Sequence, residues 1–258
     1  MKINEQSLFS EISSNTSKAI IVIGSVGFDY NIFIDEIPGI GETKLVDIDI
    51  GLGGKGNNQA VACSRAGEET IFLGAVGDKD YDSLLKHFKE NNITAILKND
   101  KLIPSHTACI LIDKDKNHRI MADPRVSFTV NKNLIIKNRE YIDKSSYILL
   151  QLEIDFEAVE YVIEEYKNKK TIILNPSPPS QLERLKLLIK NIDYLILNEA
   201  ESGAISGDEI KTTEQIEAAC DKLDKILKLE PKNIIVPLLD KGWLLWNKKG
   251  KKNLILIL

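Results

Sequence analysis

Gly51-Leu52-Gly53-Gly54-Lys55-Gly56-Asn57-Asn58-Gln59-Ala60 sets glycines at 51, 53, 54 and 56 and then runs straight into residues of helical composition up to Arg65. Closely spaced glycines let a backbone approach a ligand while neighbouring amides remain free to donate, so the segment predicts a cradle for an anion or a sugar that opens into a helix with Asn57 and Asn58 at its mouth. It is not a Walker A loop, because Lys55 is followed by Gly56 rather than by Ser or Thr and the leading glycine is wrongly spaced. A simple glycine-rich turn is the competing reading.

Working outward, Ala19-Ile20-Ile21-Val22-Ile23 is a short apolar run closed by Gly24-Ser25, the pattern of a fully buried parallel strand. Between it and the cradle, residues 29 to 50 hold only short, alternately polar β-like pieces (Ile32-Phe33-Ile34 and Lys44 to Asp49), which predicts a small sheet standing off the main body. After the cradle, Ala66-Gly67 stops the helix and Thr70-Ile71-Phe72-Leu73-Gly74 is the next strand, giving the strand, loop, helix, strand cadence of a doubly wound α/β fold. Further along come an amphipathic helix over 81–89, a hairpin from 107–112 and 119–121, and strands at 146–150, 171–174, 194–197 and 234–236. Helices are expected over 155–166 and 214–227, the second with Thr212 and Gln215 at capping-box spacing, and Gly242 to Trp246 reads as hairpin-like. The expected organisation is a polar leader over 1–18 and one main domain over 19–258, with lid strands drawn from about 29–50 and 107–122.

Bulk properties exclude several classes of function. The chain has 258 residues, 43% hydrophobic and 28% charged, with a formal charge of -4, so there is no global field to collect a nucleic-acid backbone. The one basic cluster, Lys248 to Lys252, reads as a solvated turn. No apolar stretch reaches membrane-spanning length and residues 1–17 lack a secretory pattern, so a cytoplasmic protein without a membrane or nucleic-acid partner is expected. Cys63, Cys109 and Cys220 form neither a disulfide framework nor a zinc signature and read as core thiols. His87, His106 and His118 read as surface or capping histidines.

Polar residues recur where strands end. Asp29 follows the first central strand, where a carboxylate accepts from two sugar hydroxyls; alone, such a residue is more often a cap. Glu153, Asn175, and Asn198 with Glu199 follow three later strands, and such residues converge on one rim of an open sheet. They suit hydroxyls, phosphates or a hydrated Mg2+ ion, which keeps waters and takes few protein ligands.

The order of Gly24-Ser25-Val26-Gly27-Phe28-Asp29, Pro38-Gly39-x-Gly41-Glu42-Thr43, Gly53 to Ala60, Gly77-Asp78, Gln151-Leu152-Glu153, Asn175-Pro176-Ser177-Pro178 and Asn198-Glu199-x-Glu201 resembles the ribokinase-like carbohydrate kinase family over essentially Ala19 to Gly242. The resemblance implies a three-layer sandwich with a central mostly parallel sheet and a small β lid that often supports a homodimer. It implies that Asp29, Gly53, Gly54, Lys55, Asn58 and Glu153 hold a pentose or nucleoside, that Asn198 lies by the triphosphate of ATP and Glu199 by its Mg2+, and that the γ-phosphoryl passes to the C5 hydroxyl of ribose or a related sugar. A monovalent cation is also expected for the family, although its loop is missing here.

The family draws its base and anion hole from a Gly-Ala-Gly-Asp segment at a helix N-terminus, and this sequence has none, so no catalytic residue is assigned. Pro237-Leu238-Leu239 stands where the family has Thr-Leu-Gly, Gly27 where it has Asn, and Ala122-Asp123-Pro124-Arg125 near where a Gly-Ala-Asn closes over the sugar. The final apolar run, Leu254 to Leu258, is read as a C-terminal truncation. Negligible turnover is therefore expected, and the rival readings are a catalytically inactive sugar- or nucleoside-binding module and a non-functional kinase fragment.

Overall fold

In the computed structural model, residues 19–115, 117–179, 181–207, 233–237, 243–247 and 252–255 are described. The helix expected over 214–227 with its Thr212 cap, Cys220 and the basic turn at 248–251 lie outside them.

Strand β1 (Ile20–Ile23) is the expected apolar run. The lid strands β2 (Gly27–Phe33) and β3 (Asp47–Gly53) follow, then helix α1 (Lys55–Arg65) and strand β4 (Thr70–Gly77), every residue of which is buried. Helix α2 (Tyr81–Glu90) leads to β5 (Ile93–Asp100), and the hairpin β6 (His106–Ile112) and β7 (His118–Asp123) returns to the lid. Short helices α3 (Lys132–Lys137) and α4 (Arg139–Lys144) precede β8 (Tyr147–Gln151), α5 (Phe156–Tyr166) and β9 (Thr171–Asn175). The remaining described elements are α6 (Leu182–Leu188), β10 (Tyr194–Ile196), α7 (Glu199–Ser206), β11 (Asn233–Pro237), β12 (Trp243–Asn247) and β13 (Lys252–Ile255).

Among the described residues the main sheet has the order β13-β12-β11-β10-β9-β8-β1-β4-β5. It is parallel from β11 to β5, and β12 and β13 are added antiparallel at one edge. From β1 the chain builds outward through β4 and β5 on one side and through β8 to β11 on the other. The direction of winding therefore reverses beside β1, and ligands of open α/β sheets bind in the crevice outside the strand ends at such a point.

Alternate residues of β1 feed two cores. Val22, with Phe72, Val76 and Leu149, packs under α1 and α2, while Ile21 and Ile23, with Leu73, Ile148 and Leu150, pack under α5 and its neighbours. Helix α2 supplies Leu84 and Phe88 at i, i+4 spacing, and Phe88 stacks on Phe72 with ring centroids 4.4 Å apart. Helix α5 starts at Asp155, whose side chain caps the amide of Glu157, and buries Phe156, Val159, Val162, Ile163 and Tyr166 along one stripe. The result is an α/β three-layer sandwich with a smaller mixed sheet, the form the family resemblance implies and one in keeping with the doubly wound cadence of the sequence.

The lid is a second sheet of order β3-β2-β6-β7, in which β2 pairs antiparallel with β3 and parallel with β6. Its strands differ from expectation in position. Gly51 to Gly53 belong to β3 rather than to a loop, Lys44 to Val46 are not strand, and β2 begins at Gly27. Strand β5, the short helices α3 and α4, and helices α6 and α7 are additional to the sequence reading. The cysteines also depart from it: Cys63 and Cys109 are only half-buried rather than core thiols, and burial pushes the Cys63 thiol above its ordinary pKa.

Candidate functional site

The rim built from the ends of β1, β8, β9 and β10 meets the lid at the start of α1. Ser25 follows β1 and Glu153 follows β8, so they sit on either side of the reversal in strand order. Ser25 Oγ donates a hydrogen bond to Glu153 Oε2, which also accepts from the Lys55 amide at 2.9 Å. Lys55 Nζ lies 3.5 Å from Glu153 Oε1, completing a tie between β8, the turn after β1 and the first residue of α1.

Asp29 joins this cluster from the lid. It is not in a loop after β1, as its sequence position suggests, but within β2, with its carboxylate lying across Gly53 of β3; a Cβ on Gly53 would fall 2.1 Å from Asp29 Oδ1. Gly53 is thus small because the carboxylate occupies the space a side chain would need. Burial pushes the Asp29 pKa above the ordinary carboxylate value; the nearby His106 and Lys55 charges oppose that rise and Glu153 adds to it. His106, read from sequence as a surface or capping histidine, is instead 3% exposed, with Ser127 Oγ 3.3 Å from its Nδ1.

The glycines serve the protein's own backbone more than an open cradle. Gly54 caps α1 at φ 90°, where a side chain is strained, and a Cβ there would lie 2.9 Å from Ser25 C and O. Two of the amides expected to face a ligand are already engaged: that of Lys55 by Glu153, and that of Asn57 by the Ser25 carbonyl at 2.9 Å. The spacing of glycines recorded a close crossing of two chain segments, which looks the same in sequence as a phosphate loop. What remains for a ligand is a set of side chains, in which the Asp29 and Glu153 carboxylates, the Lys55 ammonium and the exposed Asn58 amide provide acceptors and donors of both kinds.

Beneath them Gln151 Nε2 donates to Gln59 Oε1, and a Cβ on Gly24 would collide with Gln151 Oε1 at 2.0 Å. Gln151, Gln59, Ser25, His106 and His87 were not singled out from sequence as site residues. One signal was present: His87 lies between Leu84 and Phe88 on the inward stripe of α2, where a polar residue needs a partner.

Farther along the rim, Asn198 caps α7. Its Oδ1 accepts from the Glu201 amide at 2.8 Å and its Nδ2 donates to Glu201 Oε1 at 3.2 Å. Glu201, 3% exposed, also accepts from Asn175 Nδ2 at 2.9 Å. Both arms of the Asn198 amide are therefore used within the capping box, and Asn175 is held beside it. Glu199 opens the first turn of α7; its side chain lies outside the described atoms. No group of three or more His, Cys, Asp or Glu among the described residues forms a metal-binding cluster. No helix among the described residues is long and apolar enough to cross a membrane.

The model of the pfkB family carbohydrate kinases matches residues 17–255. Ribokinase of Dictyostelium discoideum is 30% identical over 252 residues, covering 91% of this chain and 78% of that protein, and deoxyribokinase of Salmonella typhi is 31% identical over 238 residues, covering 90% and 76%. The crystal structure of ribokinase from Thermotoga maritima superposes with a TM-score of 0.77 at 30% identity, covering 93% of this chain and 78% of that one.

Proposed function

We propose, because this chain belongs to the pfkB family of carbohydrate kinases, that the cluster beside β1 is a pentose site serving ribokinase-like, ATP-dependent phosphorylation. The observation that carries the reading is the convergence of Asp29 from the lid, Lys55 from α1 and Glu153 from β8 at the point where the sheet's winding reverses. Asp29, Glu153, Lys55 and Asn58 would take the sugar hydroxyls, and Gly53 and Gly54 would give the space and the turn that set them in place. The lid would cover the sugar and exclude water.

In the transfer, the C5 hydroxyl oxygen bonds to the γ-phosphorus as the bond from that phosphorus to the β,γ-bridging oxygen breaks. ADP leaves, and the hydroxyl proton passes to a base. Mg2+ bound with ATP supplies neutralisation of the phosphate charge. Asn198 would act through the helix start it caps, and Glu199 is the residue we assign to the side of the hydrated ion. The 258 residues contain no Gly-Ala-Gly-Asp segment, so we assign no catalytic base. We therefore expect a protein of these residues alone to bind ribose with negligible turnover.

An ATP- and Mg2+-dependent ribose phosphorylation assay on a protein of residues 1–258, run beside calorimetric titration of ribose, tests this. Binding without product is the expected result. Product would overturn the expectation of negligible turnover, and absence of binding by ribose, deoxyribose or a nucleoside would overturn the site and favour a non-functional fragment.

The lid face opposite Asp29 carries Ile48, Ile50 and Leu52 of β3 and Met121 of β7, which are 51%, 61%, 39% and 61% exposed. Exposed apolar sheet faces seek cover, and we assign this one to a second copy of the chain. Sedimentation equilibrium is expected to give a dimer that Ile50→Asp converts to monomer; a monomeric wild-type protein would remove the assignment.

A further inference from the structure

The inner side of α2 is joined to Asn58 on α1 through a continuous line of polar side chains. Asn91 Nδ2 lies 2.9 Å from the His87 carbonyl oxygen, which only accepts, so that atom is the amide nitrogen and a donor. The same nitrogen is 3.4 Å from His87 Nδ1. Nδ1 therefore faces a donor and holds its lone pair, which leaves the ring proton on Nε2. His87 Nε2 is 2.9 Å from Asn57 Oδ1 and donates to it. That bond orients the Asn57 amide, whose Nδ2 donates to Asn58 Oδ1 at 3.2 Å. With Oδ1 accepting from Asn57, the NH2 is the arm of the exposed Asn58 amide left to donate. Asn57, which transmits the orientation, is 3% exposed and has no solvent to substitute for a lost partner.

We infer that His87 is a positioning residue for the sugar: through Asn57 it turns the Asn58 amide so that a donor rather than an acceptor meets a sugar hydroxyl oxygen. The inference rests on Asn58 being part of the pentose site. Burial holds the His87 imidazole below its ordinary pKa, while Glu90 on α2 opposes that shift and Arg65 at the end of α1 adds to it, which favours the neutral ring the relay requires. Protonation would also set a second N–H against the Asn91 amide.

Ribose titrations of the wild type, Asn58→Ala, His87→Leu and His87→Gln, with melting temperatures measured alongside, separate the relay from the site. Because polar chains of this kind lose order when one link is removed, His87→Leu is expected to weaken ribose binding by about tenfold, and His87→Gln, which keeps a donor near the Nε2 position, to stay within about threefold of wild type. Asn58→Ala weak with His87→Leu unaffected would overturn the relay and leave the sugar site standing. Asn58→Ala binding as the wild type does, or no ribose binding by the wild type, would instead overturn the site reading on which the relay depends. Imidazole 15N shifts of the wild type near pH 7 give a second test that needs no variant: the Nε2–H tautomer is expected, and an Nδ1–H tautomer would overturn the relay.

Discussion

Asp29→Ala is expected to weaken ribose binding by at least about a hundredfold, since an ionised carboxylate that accepts from two hydroxyls contributes about 1.5–3 kcal/mol per bond before its own desolvation is subtracted. Calorimetric titration reads this directly, and a loss of less than about fivefold, which is under about 1 kcal/mol, would remove Asp29 from the sugar site. The pH dependence sharpens the test. Burial raises the Asp29 pKa above 3.8, so affinity should be flat well above that raised value and fall as the pH drops through it, at a higher pH than an ordinary carboxylate would show. The stability contribution has the opposite sense. Between the unfolded and the raised folded pKa the folded chain holds more protons, so this group favours folding below that window, and the contribution is lost as pH rises through it. Asp29→Asn removes the titrating group and should abolish the pH dependence of binding assigned to it.

Gly56→Ala tests the close crossing at the head of α1. In an exposed helix interior the same change would stabilise by about 0.5–1 kcal/mol. Here an added Cβ would lie 2.8 Å from Gly24 Cα, Gly24 C and Ser25 N, all backbone atoms with no flexible end to give way. Overpacking of this kind costs about 1–3 kcal/mol or more, so the net effect should be a loss of about 1–2 kcal/mol, accompanied by weaker ribose binding as α1 is pushed off the β1 turn and carries Lys55 and Asn58 with it. Gly51→Ala is the control, because nothing lies within 4 Å of its added Cβ. Denaturant unfolding of the two variants should show a destabilised Gly56→Ala and a nearly unchanged Gly51→Ala; equal stabilities would mean the crossing yields without cost.

Much of the fold was legible because its signals are local. The apolar runs at 20–23, 147–151 and 171–175, the stripe of α5 and the hairpin over 106–123 each declare themselves within a few residues. Strand β5 was not legible, since Ile93-Thr94-Ala95-Ile96-Leu97 follows a helix with only Asn91-Asn92 between and its far end is polar. Helices α3 and α4 are six residues each, too short for a 3.6-residue period to emerge.

The site divides along the same line. The candidacy of Asp29, Lys55, Asn58 and Glu153 was legible from polar residues in the glycine segment and after strands, taken together with the resemblance to the carbohydrate kinases. Their mutual arrangement was not. Asp29 lies on a lid strand with its carboxylate over Gly53, His106 and His87 are held inward, and the amides of the glycine segment are satisfied by Ser25 and Glu153. The sequence by itself determined the doubly wound α/β class, the rim that carries the polar residues and the need for glycine before α1, consequences of periodicity and backbone freedom within short windows, while the three-layer form came from the family resemblance. Only the tertiary structure decided which groups touch. Hydrogen bonds between Ser25 and Glu153, 128 residues apart, or His87 and Asn57, 30 apart, depend on the pairing of β1 with β8 and the packing of α2 beside α1, and no local pattern encodes a contact whose two halves are brought together by the sheet.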